Sequence, residues 1–506
     1  MTQDAHGTAG TGHGHGVVIG SGLAGLTAAR ALANFMDHVT VIDRDWIPHG
    51  SARRRGVPQA RRTHTLTPAA QQALAELFPG ISADLTAAGA VRVRPGHDLL
   101  VLGPGGWLPR TPGTEPHLSA SHDLIEAVLR RRLHTDPKIT FLPRHQAVGL
   151  EGGPGDTVTG VWVNTRDTPA APPRRRLISA DFVVDASGHA SHAPQWLADL
   201  GYPPPRQTVT EARTTRLTAV FAPPVGHVAD FTALLLLPAP GQQTQGTLQP
   251  LEGGRWSLTL TTDQPPAGPA DHAALLRAAG SLRHPLLRDL IEAATPLGPV
   301  YRATAPAGRW HHYEKLRRFP DQFLVIGDAH ATFDPGPGQG LTHAIQGALV
   351  LDRLLSAHGT AVGLGYRLRR ALARELAPAW RAATRPAARH GLTARLTARL
   401  TARLTARLTA AATTDPDAAA LLIERLHHPH QPTRRLRLWR AALRGTSGPP
   451  PAGPPSTTHG PHTRRRRAAA PDPRAARPLP AAVRAPAAPA RTPQAGTSPA
   501  ADRRRP

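Results

Sequence analysis

The chain has no cysteine among its 506 residues. Disulfide bracing, a redox-active CxxC pair, thiolate zinc sites and a cysteinyl link to a flavin are therefore excluded. Lysine is almost missing too. It occurs only at Lys138 and Lys315, so arginine carries nearly all the positive charge. No apolar run approaches the roughly 20 residues that span a bilayer. The first 16 residues are polar and rich in Gly and His, without the basic–apolar order of a secretory signal. These absences predict a soluble cytoplasmic protein with no membrane span.

Acidic residues are scarce only in one part of the chain. The formal charge of +25 suggests a nucleic-acid partner, but its distribution argues against one. Residues 363–506 hold 28 Arg and 6 acidic residues, which leaves only +3 for residues 1–362. The basicity is an Arg-, Ala- and Pro-rich appendage of the kind GC-rich coding produces, and no nucleic-acid partner is expected.

Against this background one stretch stands out. Val17-Val18-Ile19 reads as an apolar strand. It runs into Gly20-Ser21-Gly22-Leu23-Ala24-Gly25 and an Ala/Leu-rich helix, and a second strand, Val39 to Ile42, ends on Asp43. Gly20 permits a tight strand-to-helix turn, Gly22 lets backbone approach a pyrophosphate, and Gly25 lets helix and strand pack closely. The helix N-terminus offers N–H groups and a positive dipole end to phosphates. Asp43 lies about 20 residues on, where a carboxylate accepts ribose hydroxyls. Together these predict a dinucleotide site.

NAD, NADP and FAD remain open at that point. A second constellation separates them. Phe323–Gly327 reads as a buried strand ending on Asp328, and Asp334-Pro-Gly-Pro-Gly338-Gln339-Gly340-Leu341 opens a helix. A carboxylate and a helix N-terminus so placed suit a flavin, whose reduced form carries negative charge near N1 and O2. No second strand–GxGxxG–helix occurs. Gly103–Gly106 is the nearest lookalike and precedes no helix. The nicotinamide reductant, NADH or NADPH, is then a transient visitor, or a flavin reductase supplies the electrons. His13 and His15 could bind a metal, but a solvated tail accounts for them; no metal is expected.

These residues, with several further segments, resemble the single-component flavoprotein monooxygenases of the aromatic-hydroxylase type, and most closely the actinobacterial branch that includes polyether polyene epoxidases. The further carriers are Arg54-Arg55-Gly56-Val57-Pro58-Gln59 with His64 and Leu66, Val184-Asp185-Ala186-Ser187-Gly188 with Ser191, Glu252 to Trp256, and Arg309-Trp310 with His312-Tyr313-Glu314. The resemblance covers roughly residues 15–350. It implies an α/β fold: an FAD-binding Rossmann-like domain of glutathione-reductase type, an inserted mixed β-sheet substrate domain and a helical C-terminal extension. It also implies residue roles. Asp43 would hold the adenosine ribose and Arg44 would lie over the adenine. Arg54 would approach the flavin and its phosphates. Asp328 would bond the ribityl chain or pyrophosphate, and Gly338 to Leu341 would offer N–H groups to the isoalloxazine. Oxygen would be delivered from a flavin C4a-hydroperoxide, with no separate catalytic side chain.

Two positions depart from the family pattern. Its Ser-Arg appears here as Ser121-His122; as the cofactor-binding residue there, His122 would donate one hydrogen bond but lacks the fixed fork and permanent charge of Arg. Its Tyr before Gly-Gln-Gly appears as Pro337. A flavin halogenase would need a Trp-x-Trp-x-Ile-Pro segment, which neither Trp107 nor Trp162 provides. An alkene reductase of the same fold and a degenerate FAD-binding scaffold protein stay open.

The expected organisation is a disordered lead-in at 1–16, the first part of the FAD domain at 17–204 and a substrate sheet at 205–300. The second part of the FAD domain follows at 301–360, a helical extension at 361–445 and a disordered Pro/Ala/Arg-rich tail at 446–506. Helices are expected over 81–92 and 121–133. The LTAR repeat at 392–408 has period four, which drifts about 40° per repeat on a helix and winds the Leu row around it. The substrate is expected to be small and apolar (a polyketide, terpenoid or aromatic). Phe221, Phe231, Leu234, Leu236 and Trp256 suit either its pocket or a core, which spacing alone does not separate.

Overall fold

Short β-branched runs buried on both faces make parallel sheets, and the computed structural model assembles five of them in that way. The strands lie in the order Phe323–Val325, Phe182–Asp185, His15–Ile19, His38–Asp43 and Ile139–Pro143, all paired in parallel. The structure describes residues 14–48, 50, 63–111, 115–165, 174–210, 214–239, 241–264, 267–304, 307–332, 339–359, 363–383 and 406–427, with backbone only at 63, 64, 339, 382, 426 and 427. The segment 1–13, Arg54 and its neighbours, Gly338, most of the repeats and the tail lie outside these residues.

One face of the sheet packs against the helices Leu23–Ala33, Pro68–Leu77, His122–His134 and Gln339–His358 through Leu26, Leu32, Leu129 and Ile345. The other is covered by an antiparallel sheet of His145–Gly153, Thr157–Thr165 and Arg174–Ser179. The first strand starts at His15, inside the stretch expected to be a disordered lead-in. Its imidazole bonds the Ser179 carbonyl at 2.7 Å and the Thr40 hydroxyl at 2.8 Å. His15 is thus part of the sheet.

The second sheet is mixed and eight-stranded. Thr215–Ala222, Arg255–Thr262, Gln245–Leu251 and Ala233–Leu236 form its middle, and Leu99–Gly103 joins it in parallel with Ala233–Leu236. It therefore borrows a strand from well before residue 205. The helices His272–Gly280 and Leu286–Glu292 pack on one face. That packing decides the doubtful apolar positions. Phe221, Phe231, Leu234 and Leu236 are core residues against these helices, with Trp256 packed at the edge of the same cluster.

Beyond the second part of the FAD domain, Leu364–Ala383 and Pro416–His427 are helical, as are residues 406–411. Leu408, the last repeat leucine, is buried with Ala411, Leu422 and Ile423 against Leu99, Val101 and Leu235 of the second sheet. The approach is close enough that a Cβ on Gly105 would stand 2.5 Å from the Thr409 carbonyl oxygen. The end of the repeat is thus an integral layer of the fold. No helix among the described residues is long and apolar enough to cross a membrane.

Candidate cofactor and active site

The first turn is built as its glycines require. Gly20 has φ +100°, and a Cβ there would meet the Ala186 carbonyl oxygen at 2.6 Å. A Cβ on Gly25 would collide with the Gly20 carbonyl oxygen. The helix Leu23–Ala33 begins at Gly22 with no side-chain cap and no acidic residue in its first turn. Its leading N–H groups therefore suit an anion, and a pyrophosphate fits that chemistry. Asp43, at the end of its strand, accepts from the Ser21 amide at 2.9 Å and the Ser21 hydroxyl at 2.6 Å. Its other oxygen takes the Asp45 amide at 2.9 Å. Asp43 thus also braces the turn. Arg44 follows it and is exposed.

Three strand ends are knitted together here. The Ala186 amide donates to Ile19, and the Ile326 amide donates to Asp185, both at 2.9 Å. Asp185 itself is fully buried and accepts from the Ser187 amide and the Ser191 hydroxyl. Burial pushes its carboxyl pKa up, against the pull of those two donors. Gly327 has φ +61°, and a Cβ on it would stand 2.8 Å from that of Ala24. This contact delivers Asp328 to the glycine turn. A small cleft of about 50 Å³ then joins Asp328 to Gly340 at the start of the helix Gln339–His358, with His330, His343 and Glu375 on its walls. Leu341 is buried beside Gly340 and packs into the core. The structure thus brings Gly20–Gly25, Asp43, Asp328, Gly340 and Leu341 to one end of the parallel sheet. Arg54, Gly338 and the side chain of Gln339 lie outside the described residues.

His122 starts the helix capped by the Ser121 hydroxyl, which accepts from the Leu124 amide at 3.1 Å. It lies on a buried stripe with Glu126 and Arg130. The His122 Nδ1 is 3.6 Å from Glu126, and Arg130 is 3.4 Å from the other Glu126 oxygen. Glu126 reaches within 3.7 Å of where a Gly22 Cβ would stand. Sequence reading missed Glu126 and Arg130. Their spacing of four from His122 on a predicted helix was the available signal. Arg130 offsets a carboxylate that would otherwise oppose a phosphate.

A second group lies behind Asp185; Trp310 and Tyr313 in it carried the resemblance, while His311 and His330 were not singled out in the sequence. Trp310, His311, Tyr313 and His330 are all buried. Tyr313 and His330 approach with ring centroids 5.9 Å apart. Burial lowers the pKa of His330 to about 3 and that of His311 to about 4, so both are neutral at ordinary pH. Burial and the nearby Asp185 carboxyl hold the Tyr313 hydroxyl protonated.

The comparisons with known proteins agree with this geometry. Residues 18–78 match the NAD(P)-binding Rossmann-like domain and residues 53–221 the FAD binding domain. The chain is 33% identical to protein Rv3254 of Mycobacterium tuberculosis over 71% of its own length and 77% of that protein's. It is 26% identical to kynurenine 3-monooxygenase of Salinispora tropica, over 68% of this chain and 72% of that one. A flavoprotein/dehydrogenase from Cytophaga hutchinsonii shares the fold with a TM-score of 0.58 at 13% identity, covering 82% of this chain and 92% of that one. With its glycine turn, acid-terminated strands and second Gly-Asp end assembled on one sheet edge, the chain belongs to the FAD-binding monooxygenase family and is an FAD-dependent oxidoreductase.

Proposed function

We propose that the protein is a NAD(P)H- and O2-dependent monooxygenase that epoxidises or hydroxylates a small, largely apolar secondary metabolite such as a polyketide, terpenoid or aromatic. The observation that supports this best is the Gly327–Ala24 contact, which unites the pyrophosphate turn with Asp328 and the following helix start. FAD, when bound, supplies hydride acceptance and oxygen activation. The chain's own residues hold and shield it. The uncapped N–H groups after Gly22 would receive the pyrophosphate, with Ser21 and Asp43 keeping the turn in place. Asp43 would bond the adenosine ribose, and Asp328 the ribityl chain. The N–H groups at Gly340 and Leu341 would stabilise negative charge on the flavin ring. His122 would stand at the phosphates, beside Glu126. No second glycine turn of this kind occurs in the sequence, which supports a nicotinamide that binds and leaves. The mixed sheet would hold the substrate against the cofactor and exclude water.

Purified protein should show flavin absorption bands. With NADH or NADPH and a substrate it should consume O2 and yield a product with one added oxygen. A saturated product without O2 uptake would instead identify an alkene reductase. Stable flavin without any turnover would identify a scaffold protein.

A further inference from the structure

The eight-stranded sheet has two unlike faces. Leu217, Ala219, Phe221, Leu248, Leu258 and Leu260 point at the two covering helices. Strand alternation turns the intervening residues the other way. In register, that second face carries Val220, Ser257 and Gln249 in one row, Thr218, Thr259 and Thr247 in the next, and Arg216, Thr261 and Gln245 in a third. Further across the sheet the same face becomes apolar at Leu235 and Val101, and there the C-terminal helices cover it. The described part of the C-terminal layer thus packs on the greasy part of the face.

A polar sheet face is ordinarily solvated, but this one is only partly exposed, and two of its hydroxyl residues are buried. Thr218 is 4% and Ser257 2% exposed. Thr218 and Thr259 lie hydroxyl to hydroxyl at 3.3 Å across the strands. The Gln249 Oε1 is buried with no hydrogen-bond partner among the described residues. A buried acceptor left unmet is destabilising, so an arriving N–H or O–H would be bound with that cost relieved. Gln249 also stands at the junction with the cofactor domain. The neighbouring Pro250 carbonyl accepts from the Ser119 hydroxyl at 2.7 Å, and Glu252 accepts from the Ser121 amide at 3.0 Å, at the start of the His122 helix.

We propose that Gln249 is a specificity-determining residue whose Oε1 accepts a hydrogen bond from a hydroxyl or amide N–H on the substrate. This rests on the reading of the mixed sheet as the substrate's support, and it narrows the substrate class. The preferred molecule is an aromatic or alkene skeleton bearing such a donor, and a plain hydrocarbon is disfavoured. The flanking threonines offer further hydroxyl contacts to the same polar edge.

The test uses the full-length holoprotein and two fluorescent probes of equal ring size, 2-naphthol and naphthalene. Binding is read from probe fluorescence, and flavin content is measured separately. The native protein should prefer 2-naphthol by about tenfold, the value of one hydrogen bond of ~1.4 kcal/mol. Gln249→Leu should lose that preference, while Gln249→Glu, which keeps an acceptor, should retain it. Both variants should keep their flavin, which shows that the cofactor domain is still folded. Gln249→Met replaces the leucine variant if that one does not fold. Equal affinity for both probes in the native protein, binding of neither, or a preference unchanged in Gln249→Leu overturns the proposal. A buried water serving Gln249 would give that last result. A protein without flavin that still discriminates through Gln249 would overturn the cofactor reading and leave this one standing.

Discussion

Gly327 packs on Ala24 so closely that any side chain at 327 would strike the first turn of the helix Leu23–Ala33. Two motifs remote in sequence are brought into direct contact here.

Gly327→Ala should therefore fail twice. The left-handed φ of +61° costs a non-glycine residue about 1–2 kcal/mol, and the added methyl meets Ala24. Loss of both stability and FAD content is expected, read by thermal melting and by flavin absorbance. Gly340→Ala is the contrast. It lies in a helix with nothing within 4 Å of the new Cβ. The apoprotein should melt at the same or a slightly higher temperature, while FAD affinity falls because the methyl enters the cofactor's space.

The buried Glu126–Arg130 pair makes a second prediction. Removing either partner takes away the pair's mutual attraction inside the fold, and breaking such a buried pair typically costs about 3–5 kcal/mol. Urea unfolding of Glu126→Leu and Arg130→Met should show losses of that order. The double variant should recover much of the loss, since it buries no unpaired charge.

Stability should fall in mild acid because of the buried imidazoles. The native pKa of His330 is about 3 and that of His311 about 4, both depressed from 6.5. The unfolded chain binds protons below 6.5 while the folded chain does not. Their contribution is thus fully present above pH 6.5 and is lost progressively down to about pH 4 and then 3, by at most about 1.4 kcal/mol per pH unit for each histidine. Melting temperature should be flat above pH 7 and decline below 6.5. His330→Phe should make that decline shallower, and an unchanged slope would contradict the burial of His330.

The C-terminal layer packed on the mixed sheet should contribute to stability. Truncation at about residue 446 should leave folding and flavin intact. Leu422→Asp, which places a charge against Leu99, Val101 and Leu235, should lower the melting temperature by many degrees. Limited proteolysis should then cut within the mixed sheet.

Much of the cofactor domain was legible in the sequence, because its signals are local. Gly20–Gly25 and Asp43 lie within one strand–helix–strand unit whose chemistry reads directly from residue type and spacing. The helix expected over 121–133 forms at His122–His134 for a similar reason: Leu124, Ile125, Val128 and Leu129 recur at helical spacing. The substrate sheet was read less fully. Leu99–Gly103 belongs to it through a parallel pairing with Ala233–Leu236, and no local pattern announces a partner so distant. The LTAR repeat, whose period of four winds its Leu row around the helix, ends in a buried Leu408.

The sequence by itself determined the dinucleotide turn and the flavin-type second constellation, since backbone freedom at glycine and charge at a strand end are properties of single residues and their neighbours. Which face of the mixed sheet is apolar core and which carries Arg216, Thr218 and Gln249 was decided only by tertiary structure. Alternation is equally satisfied by either assignment until the helices His272–Gly280 and Leu286–Glu292 bury one side. The buried polar group behind Asp185 follows the same rule. Tyr313, His311 and His330 acquire their protonation states from desolvation, and desolvation exists only once the chain has closed around them.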